Sequence, residues 1–252
     1  MTTYRFDKGF LIHGDCLKVL RRVPDESVDL VFADPPFNID YKYDEYQDKL
    51  TPEEYMNWTV RWIATCTLKL KKTGSMFVAI GDEYAAEMKR AMDMTGLHMR
   101  NWIIWHYTFG VYCQTKFGRN HAHILYYCRD PKRRTFNARD VAIPSARQLR
   151  YQDKRADPKG RVPGDVWEYA RVCGTFKERN KDGHKCQMPE ELLERAIKAT
   201  TQEKEIVLDP FGGTGTTAAV AAKLNRRFIT VELSKAYCDG IRRRLQKRAK
   251  LL

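Results

Sequence analysis

The tetrapeptide Asp34-Pro35-Pro36-Phe37 places a carboxylate, two residues of fixed φ and an aromatic ring directly behind the apolar run "VDLVFA". Prolines lack the donor that a central strand needs, so the strand ends there and the chain leaves the sheet at the strand's carboxyl end. Open α/β sheets bind their ligands along that edge. A loop of this kind can accept hydrogen bonds from an N–H-bearing group, on the Asp34 carboxylate and the Pro35 carbonyl, with the backbone held rigid by the prolines. Phe37 adds a flat face on which a planar ring could stack. The plainer alternative is a strand-ending turn with a phenylalanine in the core.

The second chemical signal is "VLDPFGGTGTTAAVAAKLNRRFITVEL". A buried strand runs into Gly212, Gly213 and Gly215 and then straight into an alanine-rich helix. Gly213-Thr214-Gly215-Thr216-Thr217-Ala218 fits G-x-G-x-x-G/A in the required strand–turn–helix context. The glycines allow a tight turn and a close approach of backbone to ligand. The helix start offers free N–H groups to an anion. Glu232 ends the next strand, at the spacing from which an acidic side chain accepts hydrogen bonds from ribose hydroxyls. Alone, this pattern says adenosine-containing cofactor and suits NAD as well as any other. A turn that merely packs helix on strand would also produce it.

Both signals need a sheet to position them, and the rest of the chain supplies one. "FLIHGD" reads as a short strand ending near Asp15, and "CLKVLRRV" has helical spacing. "TPEEYMNWTVRWIATCTLKLK" starts with a capping signal, Thr51 with Pro52 at the first position and Glu54 three residues after the cap. "GSMFVAIG" is a strand, "EYAAEMKRAMDMTG" a helix closed by Gly96, and "MRNWIIWHYTF" and "HAHILYYCR" two more strands. From about 130 to 163 the pattern breaks into basic, turn-rich sequence. It returns with "MPEELLERAIKAT", a helix with Pro189 in its first turn, the strand and helix around the glycine turn, the strand "RFITVEL" and a basic terminal helix. Strand–helix alternation on both sides of the irregular part predicts an α/β fold with a doubly wound, mostly parallel, Rossmann-like sheet. One domain over 1–252 is expected, with 113–181 as a basic inserted region.

The net charge is +13 on 252 residues, and its distribution is uneven: 113–181 holds 17 lysines and arginines against 7 acidic residues, a net of +10. A long basic stretch interleaved with aromatics favours a nucleic-acid groove over a merely solvated face. No apolar run is long enough to span a bilayer, and "MTTYRFDKGF" has no apolar signal core, so a cytoplasmic protein with no membrane partner is expected. The seven cysteines include no CxxC pair, which leaves reduced thiols as the expectation and supports no metal site.

In combination these features resemble the amino-group DNA methyltransferases that use S-adenosylmethionine. The order here, Asp34-Pro35-Pro36-Phe37 first, a target-recognition segment next and the glycine turn last, resembles the permuted, β-class arrangement. "GDCLKVLRRVPDESVDLVFADPPF", "LKLKKTGSMFVAIGDEY", "GHKCQMPEELLERAI" and "VLDPFGGTGTT" carry the likeness, which runs from about residue 11 to 240 apart from 130–163. "HKCQMP" is similar to a family element lining the cofactor pocket, with Lys185 and Met188 departing from it. "VWEYARVCGTFKER" looks like a segment of some of these enzymes without an assignable role.

The resemblance implies a cofactor site of Asp15, Gln187, Asp209, Phe211, Gly213, Gly215, Thr216 and Glu232, with Asp15 near the adenine, Glu232 on the ribose and Thr216 near the methionine end. Asp15 also reads as a helix cap for "CLKVLRRV". Asp34, Pro35, Pro36 and Phe37 would be catalytic. An exocyclic amine is a poor nucleophile because its lone pair is delocalised. Acceptors for both its N–H groups stabilise it as it pyramidalises, and a flipped base would stack on Phe37. Trp105 and Tyr107 are candidates for the base pocket, and Lys116, Arg119, Lys132, Arg133 and Arg134 for DNA phosphates. Asp in the first position points to adenine N6, with cytosine N4 as the alternative. An inactive DNA-binding homologue and a hydride-transfer enzyme explain fewer of the residues. Double-stranded DNA is the implied partner; a homodimer and a separate restriction endonuclease also fit the resemblance.

Overall fold

A computed structural model describes residues 1–107, 113–174, 176, 178–180, 184 and 186–249. Along the chain lie β1 (Thr2–Phe6), β2 (Gly9–His13), α1 (Cys16–Leu20), β3 (Val28–Ala33), α2 (Pro52–Lys69), β4 (Leu70–Ile80), α3 (Ala85–Asp93), β5 (His98–His106), β6 (His121–Cys128), α4 (Ala146–Leu149), β7 (Val166–Glu168), α5 (Glu190–Thr200), β8 (Ile206–Asp209), α6 (Thr216–Lys223), β9 (Arg227–Glu232) and α7 (Lys235–Ala249). The strands form one sheet in the order β1-β2-β9-β8-β3-β4-β6-β5-β7. β2, β9, β8, β3 and β4 are mutually parallel, and β1 and β6 run against their neighbours.

The central strand β3 is buried along its whole length, and its alternating side chains feed two separate cores. Leu30 and Phe32 pack with Leu193 of α5, Ala219 of α6 and Ile241 of α7. Val31 and Ala33 pack on the other face with Leu20 of α1, Trp62 of α2 and Met88 of α3. Helices therefore cover both faces, as the near-continuous apolar strands require. The predicted start of α2 holds: Thr51 Oγ1 accepts from Glu54 N and the Glu54 carboxylate accepts from Thr51 N, closing a capping box. Pro189 sits one position earlier than its expected place in the first turn, as the N-cap of α5.

Three features depart from the expectation. β1 pairs antiparallel with β2 over five residues, a strand that the sequence reading did not assign. The basic region contributes a second strand to the sheet, β7, beside the expected β6. Finally, β6 is antiparallel to β4, with His123 opposite Ile80 and Cys128 opposite Ser75. Its amino end therefore lies at the carboxyl edge of the sheet and its far end at the opposite edge. In 130–163 the only helix among the described residues is α4, with a bridge between Ile143 and Arg161. Thr108, Phe109, Thr175, Lys177, Lys181 and Lys185, parts of segments read above, lie outside the described residues, as do residues 250–252, which the sequence reading gave to the terminal helix.

Candidate active site

The carboxyl ends of β2, β3, β4, β5, β8 and β9 open on one cavity of about 570 Å³. The tetrapeptide and the glycine turn, 175 positions apart in sequence at Asp34 and Asp209, both line it. Among the described residues no group of three or more metal-ligating side chains stands together.

The tetrapeptide leaves β3 as expected. Pro36 gives its carbonyl to the hydroxyl of Tyr55, which donates at 2.8 Å from a fully buried ring in α2. That bond fixes the peptide plane behind the prolines and assigns the Pro36 carbonyl a structural partner. Phe37 lies against the end of β4, where a Cβ on Gly81 would come within 3.2 Å of its ring. Glycine there is what lets the ring stand at the cavity wall. Tyr55→Phe should strand the Pro36 carbonyl and cost about 1–3 kcal/mol of stability, read by urea unfolding.

The next residues form a loop tied by two side chains. Asp48, only 2% exposed, accepts from the backbone N–H of Asn38 (2.8 Å), Ile39 (3.1 Å) and Tyr41 (3.1 Å). Asn38, at φ 58°, accepts from Leu50 N at 2.7 Å and donates to Leu50 O at 2.9 Å. The left-handed backbone is one that asparagine tolerates. The loop reaches across to the start of α7: Ser234 Oγ donates to Asp44 at 2.6 Å and Lys235 N to Glu45 at 3.1 Å. Tyr43 stacks on His184 at 5.2 Å, and His184 meets Tyr237 edge-on at 5.3 Å. All three line the cavity; His184 opens the "HKCQMP" element read above as cofactor-pocket wall, whereas Tyr43 and Tyr237 were assigned no role in the sequence reading. The spacing of Tyr41, Tyr43 and Tyr46 just behind Phe37 was the available signal.

On the other wall, Gly213 and Gly215 adopt φ 52° and 74°. Gly213 N donates to Glu232 Oε2 at 2.7 Å, and Ser234 N donates to Glu232 Oε1 at 2.8 Å. Glu232 thus fastens the glycine turn to the end of β9, and each of its oxygens keeps a lone pair for a ligand hydroxyl. Asp15 lines the cavity and also caps α1, accepting from Lys18 N at 3.0 Å, as its reading as a helix cap predicts. Phe211 packs edge-on against Trp62 at 5.2 Å. Thr216 lines the wall, but its hydroxyl is engaged by Thr214 at 2.9 Å and by Arg244 at 2.9 Å. Gln187 also lines the cavity with its amide spent, accepting from Asn180 N at 2.7 Å and donating to Glu178 O at 2.9 Å. These two shape the site more than they offer free polar groups.

The site is rich in destabilised carboxylates. Burial, and then the neighbouring charge of Asp209, push Asp34 up to about 7. Burial lifts Asp209 to about 6, and it lifts Glu232 to about 7 against the lowering effect of its backbone donors. A cationic ligand would relieve this, and S-adenosylmethionine carries a sulfonium and an ammonium group. The cavity size, the open glycine turn and Glu232 therefore fit that molecule. Because these folded pKa values exceed the unfolded ones near 4, the ligand-free fold binds the extra protons. Its stability falls as pH rises through about 4 to 7 and stays lowered above that window. Asp34→Asn should raise the Tm of the ligand-free protein by about 3–6 °C at pH 8 and change it little at pH 4, by calorimetry.

Trp105 and Tyr107 line the cavity 5.5 Å apart, Trp105 donating to Tyr169 O at 2.9 Å and Tyr107 to His121 O at 3.0 Å. Arg171 lies over the Tyr107 ring at 5.2 Å and also reaches the cavity, which gives "VWEYARVCGTFKER" a place in the site. The expected phosphate contacts divide. Lys116 and Arg119 stand at the cavity edge of the sheet, before β6, and Arg119 is ion-paired with Asp82 (2.8 Å) and Glu83 (2.7 Å). Lys132, Arg133 and Arg134 are not brought to the site. They follow the far end of β6, roughly 25 Å along the sheet from its start at 3.3 Å per residue, beside Thr135, whose N–H bonds Thr73 O at 3.2 Å. The antiparallel direction of β6 is the reason. There Arg133 pairs with Asp130 at 2.5 Å, and Arg134 donates to Pro131 O and lies over Phe136.

The family described as DNA methylase, of the N6 and N4 type, matches residues 28–243. The type II methyltransferase M.BamHI of Bacillus amyloliquefaciens is 35% identical over 253 residues, which is 97% of this chain and 58% of the relative. The DNA adenine methyltransferase YhdJ of Escherichia coli (strain K12) is 35% identical over 242 residues, 92% of this chain and 81% of the relative. The chain thus spans little more than half the length of the first and most of the second. Among solved structures, the PvuII DNA methyltransferase (cytosine-N4-specific) superposes with a TM-score of 0.75 at 20% identity, over 96% of this chain and 87% of that one. A complex of M1.HpyAVI with SAM gives 0.68 at 20% identity, over 93% and 98%. At such identities the likeness is one of fold, the α/β methyltransferase architecture.

Proposed function

The chain belongs to the DNA methylase family, and on that premise we propose that it is a site-specific DNA methyltransferase acting on the exocyclic N6 amine of a flipped adenine in double-stranded DNA. The observation that supports this reading above others is the convergence of Asp34-Pro35-Pro36-Phe37 and the Gly213–Glu232 turn on one cavity. S-adenosylmethionine, when bound, supplies the methyl group from a positively charged sulfonium. Glu232, Asp15 and the backbone at Gly213 bind it; Phe211 and Gln187 shape its wall. The permuted, β-class order of the two signals within one domain belongs to the same reading.

Asp34 and the Pro35 carbonyl accept hydrogen bonds from the amine and favour its pyramidal, charge-gaining form. The amine must then shed a proton, and Asp34, the carboxylate that accepts its hydrogen bond, is the group placed to take it. Phe37, Trp105 and Tyr107 enclose the flipped base and exclude water. Lys116, Arg119 and Arg171 face the DNA backbone at the cavity mouth. Lys132, Arg133 and Arg134 follow the far end of β6, away from the cavity mouth. A cytoplasmic location, a homodimer and a separate restriction endonuclease as partner accord with the reading.

The test is methyl transfer from labelled S-adenosylmethionine to unmethylated DNA, followed by digestion to nucleosides and mass spectrometry. N6-methyladenine is the expected product. N4-methylcytosine would overturn the substrate and leave the mechanism standing. Absence of label on DNA, with cofactor bound, would overturn the activity.

A further inference from the structure

Phe117 is 101% exposed, the most exposed of the chain's large apolar side chains among the described residues. It sits in the stretch that enters β6, between the exposed Lys116 and Arg119. The chain just behind it is firmly placed. Tyr107 N donates to Asn120 O at 2.9 Å, Asn120 lies 3.3 Å from His106 Nε2, and Arg119 is held by Asp82 and Glu83. Arg119 and His121, two and four residues on, line the cavity that holds Asp34. An aromatic ring is thus carried out into solvent on an anchored, basic segment beside the mouth of the site.

We propose that Phe117 is the wedge that enters the base stack when the target nucleotide leaves it. The proposal rests on the DNA methyltransferase reading above. A base that swings out leaves a gap between its neighbours, and proteins that distort duplex DNA fill or pry open such steps with apolar side chains. The ring would stack on the bases flanking the gap and favour the extruded state, while Lys116 offers charge to the adjoining phosphates. Phe117 touches neither the cofactor nor the reacting nitrogen, so it is a positioning residue: it alters how much of the bound DNA is flipped, not the chemistry on the flipped base.

The test uses the full chain with a duplex carrying the sequence found methylated in the genome of the expression host. 2-Aminopurine, at or directly beside the target base, brightens when stacking is lost. Phe117→Ala is expected to reduce that signal about fivefold or more and to slow methyl transfer to the paired duplex about tenfold or more. On a duplex whose target base faces an abasic site, where unpairing is already done, the loss should stay under about threefold. Phe117→Leu should recover most of the signal. Equal losses on both duplexes, or unchanged 2-aminopurine emission, would overturn the wedge. So would a change of oligomeric mass at unchanged flipping, which would make Phe117 a contact between copies. A wild-type protein that methylates no DNA would instead overturn the reading beneath it.

Discussion

Asp34→Ala abolishes methyl transfer, by about a thousandfold or more, while S-adenosylmethionine still binds within about fivefold of its original affinity. Removing one preorganised group that meets developing charge costs about 10²–10³ in rate. Asp34 is assigned two tasks, accepting the amine's hydrogen bond and its proton, so its loss exceeds that of a single acceptor. The cofactor keeps Glu232 and Asp209, and the glycine turn on the opposite wall is untouched. The split between a lost rate and a kept affinity is the signature of an interaction made mainly in the transition state. Calorimetric titration and single-turnover transfer read the two quantities separately. Substantial transfer by the alanine variant would remove Asp34 from the mechanism.

The second large effect falls on binding. Gly213→Asp should weaken cofactor affinity about 100-fold, close to 2.7 kcal/mol. A Cβ at this position would meet nothing nearer than His184 Nδ1 at 3.9 Å, so the new side chain has room and that room is the cavity. It would stand where a ligand approaches the turn, and its charge would lie beside Glu232, already raised to about 7. The φ of 52° is strained for a residue with a Cβ, but aspartate is among the side chains that tolerate it. Tm should therefore drop by no more than about 4 °C. Gly215→Ala makes the contrast: its Cβ would lie 2.8 Å from Ile241 Cγ2, at φ 74°, so stability is lost first. Unchanged affinity in Gly213→Asp would move the cofactor away from this turn.

Much of the site was legible because its signals are local. A proline pair behind a buried strand, and glycines between a strand and a helix, dictate backbone geometry within a few residues. The helices and their caps follow the same logic, as Thr51 and Glu54 illustrate. Strand direction is not local: nothing inside "HAHILYYCR" says which way it lies beside β4. Read without direction, the sequence could not say at which edge of the sheet Lys132, Arg133 and Arg134 would lie; the fold puts them at the edge opposite the cavity. The tyrosines behind Phe37 were hidden for a related reason. Their partner His184 lies over 140 residues away, and only the folded chain sets Tyr43 against it. Gln187 and Thr216 were found as wall residues, but their spent hydrogen bonds could be seen only once Asn180 and Arg244 were in position.

The sheet order carries a consequence for how the molecule is made. β2 and β3 follow each other in the chain, yet β9 and β8 lie between them. These two inner strands are synthesised after every other strand of the sheet. Until they emerge, β2 and β3 each present an open edge, and β3, buried along its whole length in the finished fold, lacks a neighbour along one side. The middle of the sheet is therefore its final piece, slotted in across contacts nearly the full length of the chain. Such long-range closure slows folding and prolongs the exposure of sticky intermediates. Overproduction should be limited by capture of the nascent chain rather than by the stability of the finished one. Slower synthesis or added chaperones, and not surface redesign, are the remedies this topology calls for.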